Sequence, residues 1–207
     1  MSEYIILIGL WILYGLLHSV FAANWMKRLF KNHFYNFNKY YRFIYVIFSI
    51  ILLIPIIWYQ STLSQNLIYK QQTWSIFLGL SIASFGIIII KKAFSQYDIR
   101  EFIGIHQIKG NLETQAMQLD GLLSYVRHPL YSGSIIAILG FFIFAPTTTN
   151  LVTIFCFIMY FIIGIYFEEK KLIQEFGEKY LDYRRNVPAL IPGWKRLFRG
   201  KRNFKFL

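Results

Sequence analysis

The sequence predicts an all-α, polytopic membrane protein with five transmembrane helices, the last two of which form a helical hairpin. Of its 207 residues, 56% are hydrophobic and only 15% are charged, which is too apolar a composition for a soluble domain of this length. The apolar residues are gathered in five stretches, and most of the charges lie between or after them. The stretches cover residues 4–23, 42–59, 74–94, 131–146 and 151–167.

The first three stretches are long enough to cross a bilayer, which takes ~20 apolar residues. The first has Glu3 and no Lys or Arg before it. A cleavable signal peptide starts with basic residues, so we expect this stretch to be a retained span. Trp58, Tyr59 and Trp74 lie at span ends, where aromatic belts form.

The last two stretches are short, and only residues 145–150 separate them. That link reads Ala-Pro-Thr-Thr-Thr-Asn, a helix breaker followed by turn-forming residues. It favours a tight helical hairpin over residues 131–167. A single bent span is the alternative.

The basic residues predict the orientation. Five lie in residues 24–42, one in 60–73, five in 91–129, none in 145–150 and eleven in 168–207. By the positive-inside rule, the N-terminus is outside and the C-terminus is cytoplasmic. The net charge of +12 is then mainly a topological signal, with some attraction to anionic lipid, and we expect no nucleic-acid binding. The Ile-, Lys- and Asn-rich composition suggests a bacterial inner membrane.

The sequence offers little for disulfides or metals. Cys156 is the single cysteine, so no disulfide can form within the chain. There is no His-x-x-x-His pattern or carboxylate cluster of the metal-site type, so we predict no metal.

Two polar clusters flank the predicted hairpin on its cytoplasmic side. Arg127 and His128 precede the fourth span, and Glu168 and Glu169 follow the fifth. Ionisable groups at the rim of a membrane helix are costly and usually functional. Because a hairpin returns its ends to the same level, the clusters should be neighbours. They suit a small zwitterionic ligand that carries its own cation; snorkelling charges that cap two helices are the alternative.

These clusters resemble the signatures of the isoprenylcysteine carboxyl methyltransferase superfamily over roughly residues 97–193. The first signature is Arg127-His128-Pro129-x-Tyr131-x-Gly133. The second begins with Glu168-Glu169 and continues through Leu172, Phe176-Gly177, Tyr180, Tyr183, Val187-Pro188 and Ile191-Pro192. The resemblance implies a membrane-embedded enzyme that uses S-adenosylmethionine.

Shorter motifs resemble the NnrU-like branch, which includes methanethiol S-methyltransferases and nurim-like proteins. They are Leu17-His18-Ser19, Tyr40-Tyr41-Arg42, Tyr97-Asp98 and Gly104-x-His106-Gln107. We therefore expect three parts: a three-span region (1–96), a cofactor-binding core (97–193) and a basic cytoplasmic tail (194–207).

The resemblance implies that the cofactor lies between the hairpin ends and the C-terminal helix. Arg127 and His128 would bind its carboxylate or ribose, and Tyr131 would contact it by ring or hydroxyl. Pro129 fits the first turn of the fourth span, because its missing amide proton would be unsatisfied there. Gly133 allows a close backbone approach, by the cofactor or by a packed helix.

Glu168 and Glu169 are expected to differ in role. Adjacent residues on a helix point about 100° apart, so at most one faces the ligand directly. That carboxylate would hold the cofactor's ammonium group or steady its sulfonium, and the other would pair with Arg127 or a lysine. The choice between them stays open.

The residues after the glutamates predict an amphipathic helix. Tyr180 is the candidate ligand contact on its buried face, and Arg184 and Arg185 are expected to face lipid or solvent. That buried face recurs at helical spacing and comprises Leu172, Phe176, Tyr180 and Tyr183.

Further candidates lie elsewhere in the chain. Besides Glu168 and Glu169, His106 is a candidate catalytic group as a general base, with a solvated loop histidine as the alternative. His18, Asp98 and Gln107 are candidates for the substrate side. His18 lies within the first span, where a hydrogen bond to a neighbouring helix is the other interpretation.

We expect a small or lipophilic thiol, methanethiol-like, as the methyl acceptor, ionised to the thiolate that attacks. Isoprenylcysteine enzymes carry an arginine where this chain has Gly164-Ile165-Tyr166-Phe167, which disfavours a carboxylate substrate. The alternatives are a lipid or isoprenoid amphiphile, a non-catalytic NnrU-like or nurim-like protein, and a sterol-reductase-like membrane enzyme using NADPH.

Overall fold

The computed structural model describes residues 2–96, 103, 105, 108 and 119–193. Within them every bounded element is helical, and an isolated antiparallel bridge joins Leu67 and Thr147. Short 3-10 helices cover Tyr35–Tyr40 and Gly121–Ser124. The bounded α-helices are α1 (Ser2–Ala22), α2 (Asn24–His33), α3 (Tyr41–Thr62), α4 (Thr73–Phe94), α5 (Pro129–Phe144), α6 (Thr148–Phe176) and α7 (Glu178–Asn186).

Four of the described helices are long and apolar enough to cross a membrane. They are α1, the segment Phe37–Thr62 that contains α3, α4 and α6. The apolar helix α5 is shorter, at 16 residues. The chain is thus a multi-pass membrane protein, as predicted, while the number of five spans and their orientation stay predictions.

The described residues form two compact units, one of residues 2–70, 103, 105, 108 and 146–156, and one of residues 71–96, 119–145 and 157–193. The three parts predicted from the sequence, with boundaries at residues 96 and 193, were defined by expected function, and this division stays a prediction.

The first unit is held partly by polar contacts. His18 of α1 lies 3.1 Å from Ser49 Oγ and 2.7 Å from the Tyr45 hydroxyl, both on α3. At another point, the backbone amide of Thr148 donates to the carbonyl of Asn66 at 3.0 Å. Since hydrogen bonds add to van der Waals packing between membrane helices, the His18 contacts help to hold α1 against α3.

In the second unit, α4 and α5 pack closely through glycines spaced seven residues apart. A β-carbon on Gly86 would lie 2.6 Å from the carbonyl oxygen of Gly133, and one on Gly79 would lie 2.8 Å from that of Gly140. Small residues let two membrane helices approach this closely. Gly133 therefore serves helix packing, one of the two roles predicted for it.

The start of α5 and the end of α6 differ in how well they were predicted. Pro129 occupies the first turn of α5, as expected. However, α6 continues for 29 residues to Phe176, so Glu168 and Glu169 follow the apolar stretch on the same helix. Gly177, with φ at +57°, ends α6. The predicted amphipathic face is consequently divided between α6 and α7.

Candidate functional site

Glu169 is the centre of a buried ion-pair cluster in the second unit. Its Oε1 atom accepts hydrogen bonds from Arg127, at 2.8 Å from Nε and 2.5 Å from Nη2. The same oxygen lies 3.2 Å from Nε2 of His128. Its other oxygen, Oε2, lies 3.1 Å from Nε of Arg184. Less than a tenth of the Arg127 and Glu169 side chains is exposed, so each charge depends on its partner.

Glu168 has a different setting one residue earlier on α6. Its side chain is 45% exposed, and its Oε2 atom lies 3.7 Å from Nδ1 of His128. The buried imidazole of His128 thus faces Glu169 through one nitrogen and Glu168 through the other. The accessible carboxylate at this site is that of Glu168.

The backbone after α7 holds the start of α5. The amide of Arg127 donates to the carbonyl of Pro188 at 2.9 Å, and the amide of His128 donates to that of Ala189 at 3.0 Å. The Ser132 hydroxyl donates to the carbonyl of Leu190 at 2.7 Å. These three hydrogen bonds give the segment at Val187-Pro188 a structural role, because they fix the positions of Arg127 and His128.

The guanidinium of Arg127 donates within the protein through each of its three nitrogens. Beyond its two bonds to Glu169, its Nη1 atom donates to the carbonyl of Arg184 at 3.1 Å and to that of Val187. All three guanidinium nitrogens therefore serve the protein itself. This arrangement lets Arg127 connect the start of α5, α6 and the end of α7.

A small core of apolar and aromatic side chains lies beside the cluster. The Tyr183 hydroxyl donates to the carbonyl of Leu123 at 2.6 Å. Tyr180 is 2% exposed, and its hydroxyl has no hydrogen-bond partner among the described residues. Burial and the charge of Glu169 raise the pKa of Tyr180 to about 12, so its hydroxyl remains protonated near neutral pH. The core comprises Leu119, Tyr180, Tyr183 and Val187, packed by Leu172, Ile173 and Phe176.

Tyr131 lies next to the cluster on the first turn of α5. Its ring centroid is 5.7 Å from that of His128 and 5.1 Å from that of Phe161 on α6. The start of α5 therefore lies beside the later part of α6, as expected of two antiparallel helices.

The structure brings together Arg127, His128, Glu168 and Glu169, with Tyr131 and Tyr180 beside them. His18 lies in the first unit, in the contacts described above. The candidates Asp98, His106 and Gln107 lie outside the described residues. In the part of the chain that the structure describes, no group of three or more His, Cys, Asp or Glu side chains is placed to hold a metal ion.

Arg184 is the residue that sequence reasoning missed. We expected it to face lipid or solvent, but its Nε atom reaches Glu169 while the side chain stays half exposed. The expectation was wrong because Arg184 follows Tyr180 by four residues and thus shares the helix face that meets α6. That spacing was the available signal. Arg185, one residue later, is largely exposed, as expected.

Comparison with known proteins covers almost the whole chain. The family model described as NnrU protein matches residues 6–194. Methanethiol S-methyltransferase 1 of Bradyrhizobium diazoefficiens is 28% identical over 199 residues, which cover 89% of this chain and 65% of that protein. The methanethiol S-methyltransferase of Crocosphaera subtropica is 27% identical over 201 residues, covering 89% of this chain and 73% of the relative.

A third relative matches a shorter region with higher identity. The methanethiol S-methyltransferase of Pseudomonas deceptionensis is 35% identical over 109 residues, which cover 46% of this chain and 38% of that protein. The chain therefore spans less than two thirds of the length of both the Bradyrhizobium and the Pseudomonas relative. No solved structure matches the chain.

Proposed function

This chain belongs to the NnrU family, the branch that its motifs resemble, and on that basis we propose that it is a membrane-embedded methyltransferase. The proposed methyl donor is S-adenosylmethionine, and the proposed acceptor is a small thiol such as methanethiol. The names of the relatives from Bradyrhizobium, Crocosphaera and Pseudomonas support this proposal.

The observation that carries the proposal is the pairing of an accessible acid with a buried, unpartnered hydroxyl beside one ion-pair cluster. The Glu168 carboxylate is suited to the ammonium or sulfonium of S-adenosylmethionine, because it is negative and exposed on one side. The Tyr180 hydroxyl has no hydrogen-bond partner among the described residues that meets normal geometry, which makes it a candidate donor to a ligand. These two groups fit the cofactor's chemistry.

Arg127 and Glu169 are proposed to position the site and not to touch the cofactor. The resemblance implies that Arg127 binds the cofactor's carboxylate, but its nitrogens already donate within the protein. Glu169 in turn holds Arg127, His128 and Arg184. Their role is to fix the imidazole of His128 and the backbone around it, on which the geometry of Glu168 depends.

When bound, S-adenosylmethionine would supply an electrophilic methyl group on a sulfonium. The acceptor reacts as its thiolate, so the protein needs to bind the thiol, orient it and accept its proton. His106 is proposed as the base, and His18, Asp98 and Gln107 as substrate-side groups. The apolar surroundings of the spans exclude water from this reaction.

The proposed topology has five spans, with the N-terminus outside and the site facing the cytoplasm of a bacterial cell. With 16 residues, α5 is ~24 Å long, somewhat less than the ~30 Å hydrocarbon core. The basic residues that flank its start and follow α6 support a cytoplasmic position for the cluster.

The test is a calorimetric titration of S-adenosylmethionine and its demethylated product into the detergent-purified full chain, followed by incubation with methanethiol and gas chromatography for dimethyl sulfide. We expect saturable binding and dimethyl sulfide formation. Glu168→Gln should weaken binding at least tenfold, since a hydrogen bond to a charged group contributes ~1.5–3 kcal/mol. Glu175→Gln, an exposed change on the same helix, is the matched control and should leave binding unchanged.

The outcomes separate the alternatives. No binding by folded protein would contradict a methyltransferase and favour a non-catalytic family member. Binding with methyl transfer into extracted lipid, but not into methanethiol, would replace the thiol by a lipid or isoprenoid acceptor. Stabilisation by NADPH in place of S-adenosylmethionine would point to a reductase.

A further inference from the structure

The short helix α2 has two chemically distinct faces. Its apolar residues Trp25, Met26, Leu29 and Phe30 recur at one- and four-residue intervals and therefore share one side of the helix. The opposite side carries its basic residues Lys27, Arg28 and Lys31, all exposed.

The apolar face is only partly used by the protein. The ring of Phe30 packs against Phe34 and Tyr41, with centroids 5.1 Å and 4.9 Å apart. These contacts attach α2 to the start of α3. Trp25 and Leu29 remain about half exposed, at 52% and 47%.

The position of α2 sets the environment of both faces. It begins two residues after α1 ends at Ala22, and the next candidate span begins at Phe37. Because these connections are short, α2 lies close to the membrane surface at which α1 and the segment Phe37–Thr62 end. In that position an amphipathic helix lies with its apolar side in the acyl boundary and its basic side among the headgroups.

The stretch of sequence that contains α2 carries charge of one sign. The sequence has no Asp or Glu from residue 4 to residue 97, whereas residues 24–42 contain five Lys or Arg residues. Since the partner at this level of the membrane is the lipid headgroup, the complementary occupant is an acidic one.

We propose that α2 is an interfacial lipid-binding helix that selects acidic phospholipid headgroups through Arg28 and Lys31, with Trp25 and Leu29 inserted into the acyl boundary. This function goes beyond methyl transfer and does not depend on it. Each basic side chain near an acidic surface strengthens the association constant by up to about fivefold, and salt weakens this attraction.

The test uses Trp25 as the reporter in the full chain. The other four tryptophans, Trp11, Trp58, Trp74 and Trp194, are replaced by Phe, and the protein is reconstituted into nanodiscs of phosphatidylcholine and phosphatidylglycerol. In one set of discs the bromine quencher is on the phosphatidylglycerol, and in the other it is on an equal fraction of the phosphatidylcholine.

We expect stronger quenching of Trp25 by brominated phosphatidylglycerol, and a decline of this preference with added salt. Combined Arg28→Gln and Lys31→Gln substitutions should remove the preference while quenching by lipid persists. The matched control is Lys91→Gln with Lys92→Gln, which removes an exposed basic pair at the end of α4 and should leave the preference intact.

Two results in the single-tryptophan protein, without any substitution in α2, would overturn the proposal, whatever the variants do. Equal quenching by both brominated lipids would show that α2 does not select acidic headgroups. Absence of quenching by either would show that Trp25 does not lie at the lipid boundary.

Discussion

Glu168 and Glu169 are adjacent on α6, yet the Glu168 side chain is 45% exposed and that of Glu169 only 8%. The two carboxylates flank the ring of His128 from different sides, through different nitrogens. Adjacent residues of a helix point about 100° apart. Glu169 therefore faces the protein and stabilises it, whereas Glu168 can be reached by a ligand.

We expect Glu169→Gln to destabilise the protein strongly. Loss of this charge leaves the buried Arg127 without its counter-ion, and breaking a buried pair costs ~3–5 kcal/mol of the free energy of unfolding. Equilibrium unfolding in mixed micelles measures the change. Glu168→Gln should stay within ~0.5 kcal/mol of the parent, as surface changes do; equal losses in the two variants would contradict the division of roles.

Arg184→Ala should produce a smaller loss, of about 1 kcal/mol or less, because this side chain is half exposed and water screens its pair with Glu169. Arg185→Ala is its natural control. The Arg185–Glu178 pair is 3.9 Å apart with both partners largely exposed, so its removal should have no measurable effect. Thermal unfolding of both variants in one detergent checks the order, and a larger effect at Arg185 would refute it.

Tyr180→Phe is expected to separate stability from binding. A buried hydroxyl without a partner is unfavourable, so its removal should leave the apo-protein as stable as the parent, or more stable by up to ~2 kcal/mol. Affinity for S-adenosylmethionine should fall in the same variant. Unfolding and titration calorimetry on one preparation give both values; unchanged affinity would exclude the hydroxyl as a ligand contact.

The same tyrosine predicts an alkaline effect. Its pKa is about 12 in the folded chain but ~10 in an unfolded one. The stability contribution of its neutral form is therefore present below pH 10 and is lost as the pH rises to 12. Between these values the parent should lose more stability than Tyr180→Phe, which unfolding at pH 9 and pH 11 would detect. Parallel losses would contradict the shift.

Gly86→Ala is expected to push α4 and α5 apart. The added carbon would meet the carbonyl of Gly133 and the backbone of Ala137, and backbone atoms cannot move aside as a flexible side chain can. Overpacking of this kind costs ~1–3 kcal/mol. Gly9→Ala on α1 meets nothing within 4 Å and should be neutral or slightly stabilising. Unfolding in mixed micelles compares the two, and a neutral Gly86→Ala would mean that the helices are free to separate.

The apolar stretches predicted the main helices because twenty consecutive apolar residues have few other stable conformations. Pro129 predicted the start of α5 for an equally local reason. The end of α6 could not be predicted, since Glu168 and Glu169 mark where apolar residues stop and not where backbone hydrogen bonding stops. The helix ends instead at Gly177, which has a positive φ. Glycine can adopt a positive φ but does not have to, so its presence alone did not predict the end of the helix.

The sequence predicted which residues form the candidate site better than it predicted the role of each residue. A hairpin brings Arg127 and Glu169 to one level whatever the side-chain details. The distinction between Glu168 and Glu169 depends on the rotation of α6, and the contact of Arg184 depends on where α7 folds back. The rotation of α6 is set by packing against segments more than 40 residues away in sequence, which no local pattern records, whereas the spacing of Arg184 from Tyr180 was a local signal.

The pairing of residues 127 and 128 with residues 188 and 189 also has a consequence for biosynthesis. Translation delivers the start of α5 about 60 residues before the irregular segment that fixes it. Until that later segment emerges from the ribosome, the Arg127 guanidinium lacks the carbonyls of Arg184 and Val187. The cluster can therefore close only after residues 184–189 have been synthesised, although α5 and most of α6 precede them in the chain.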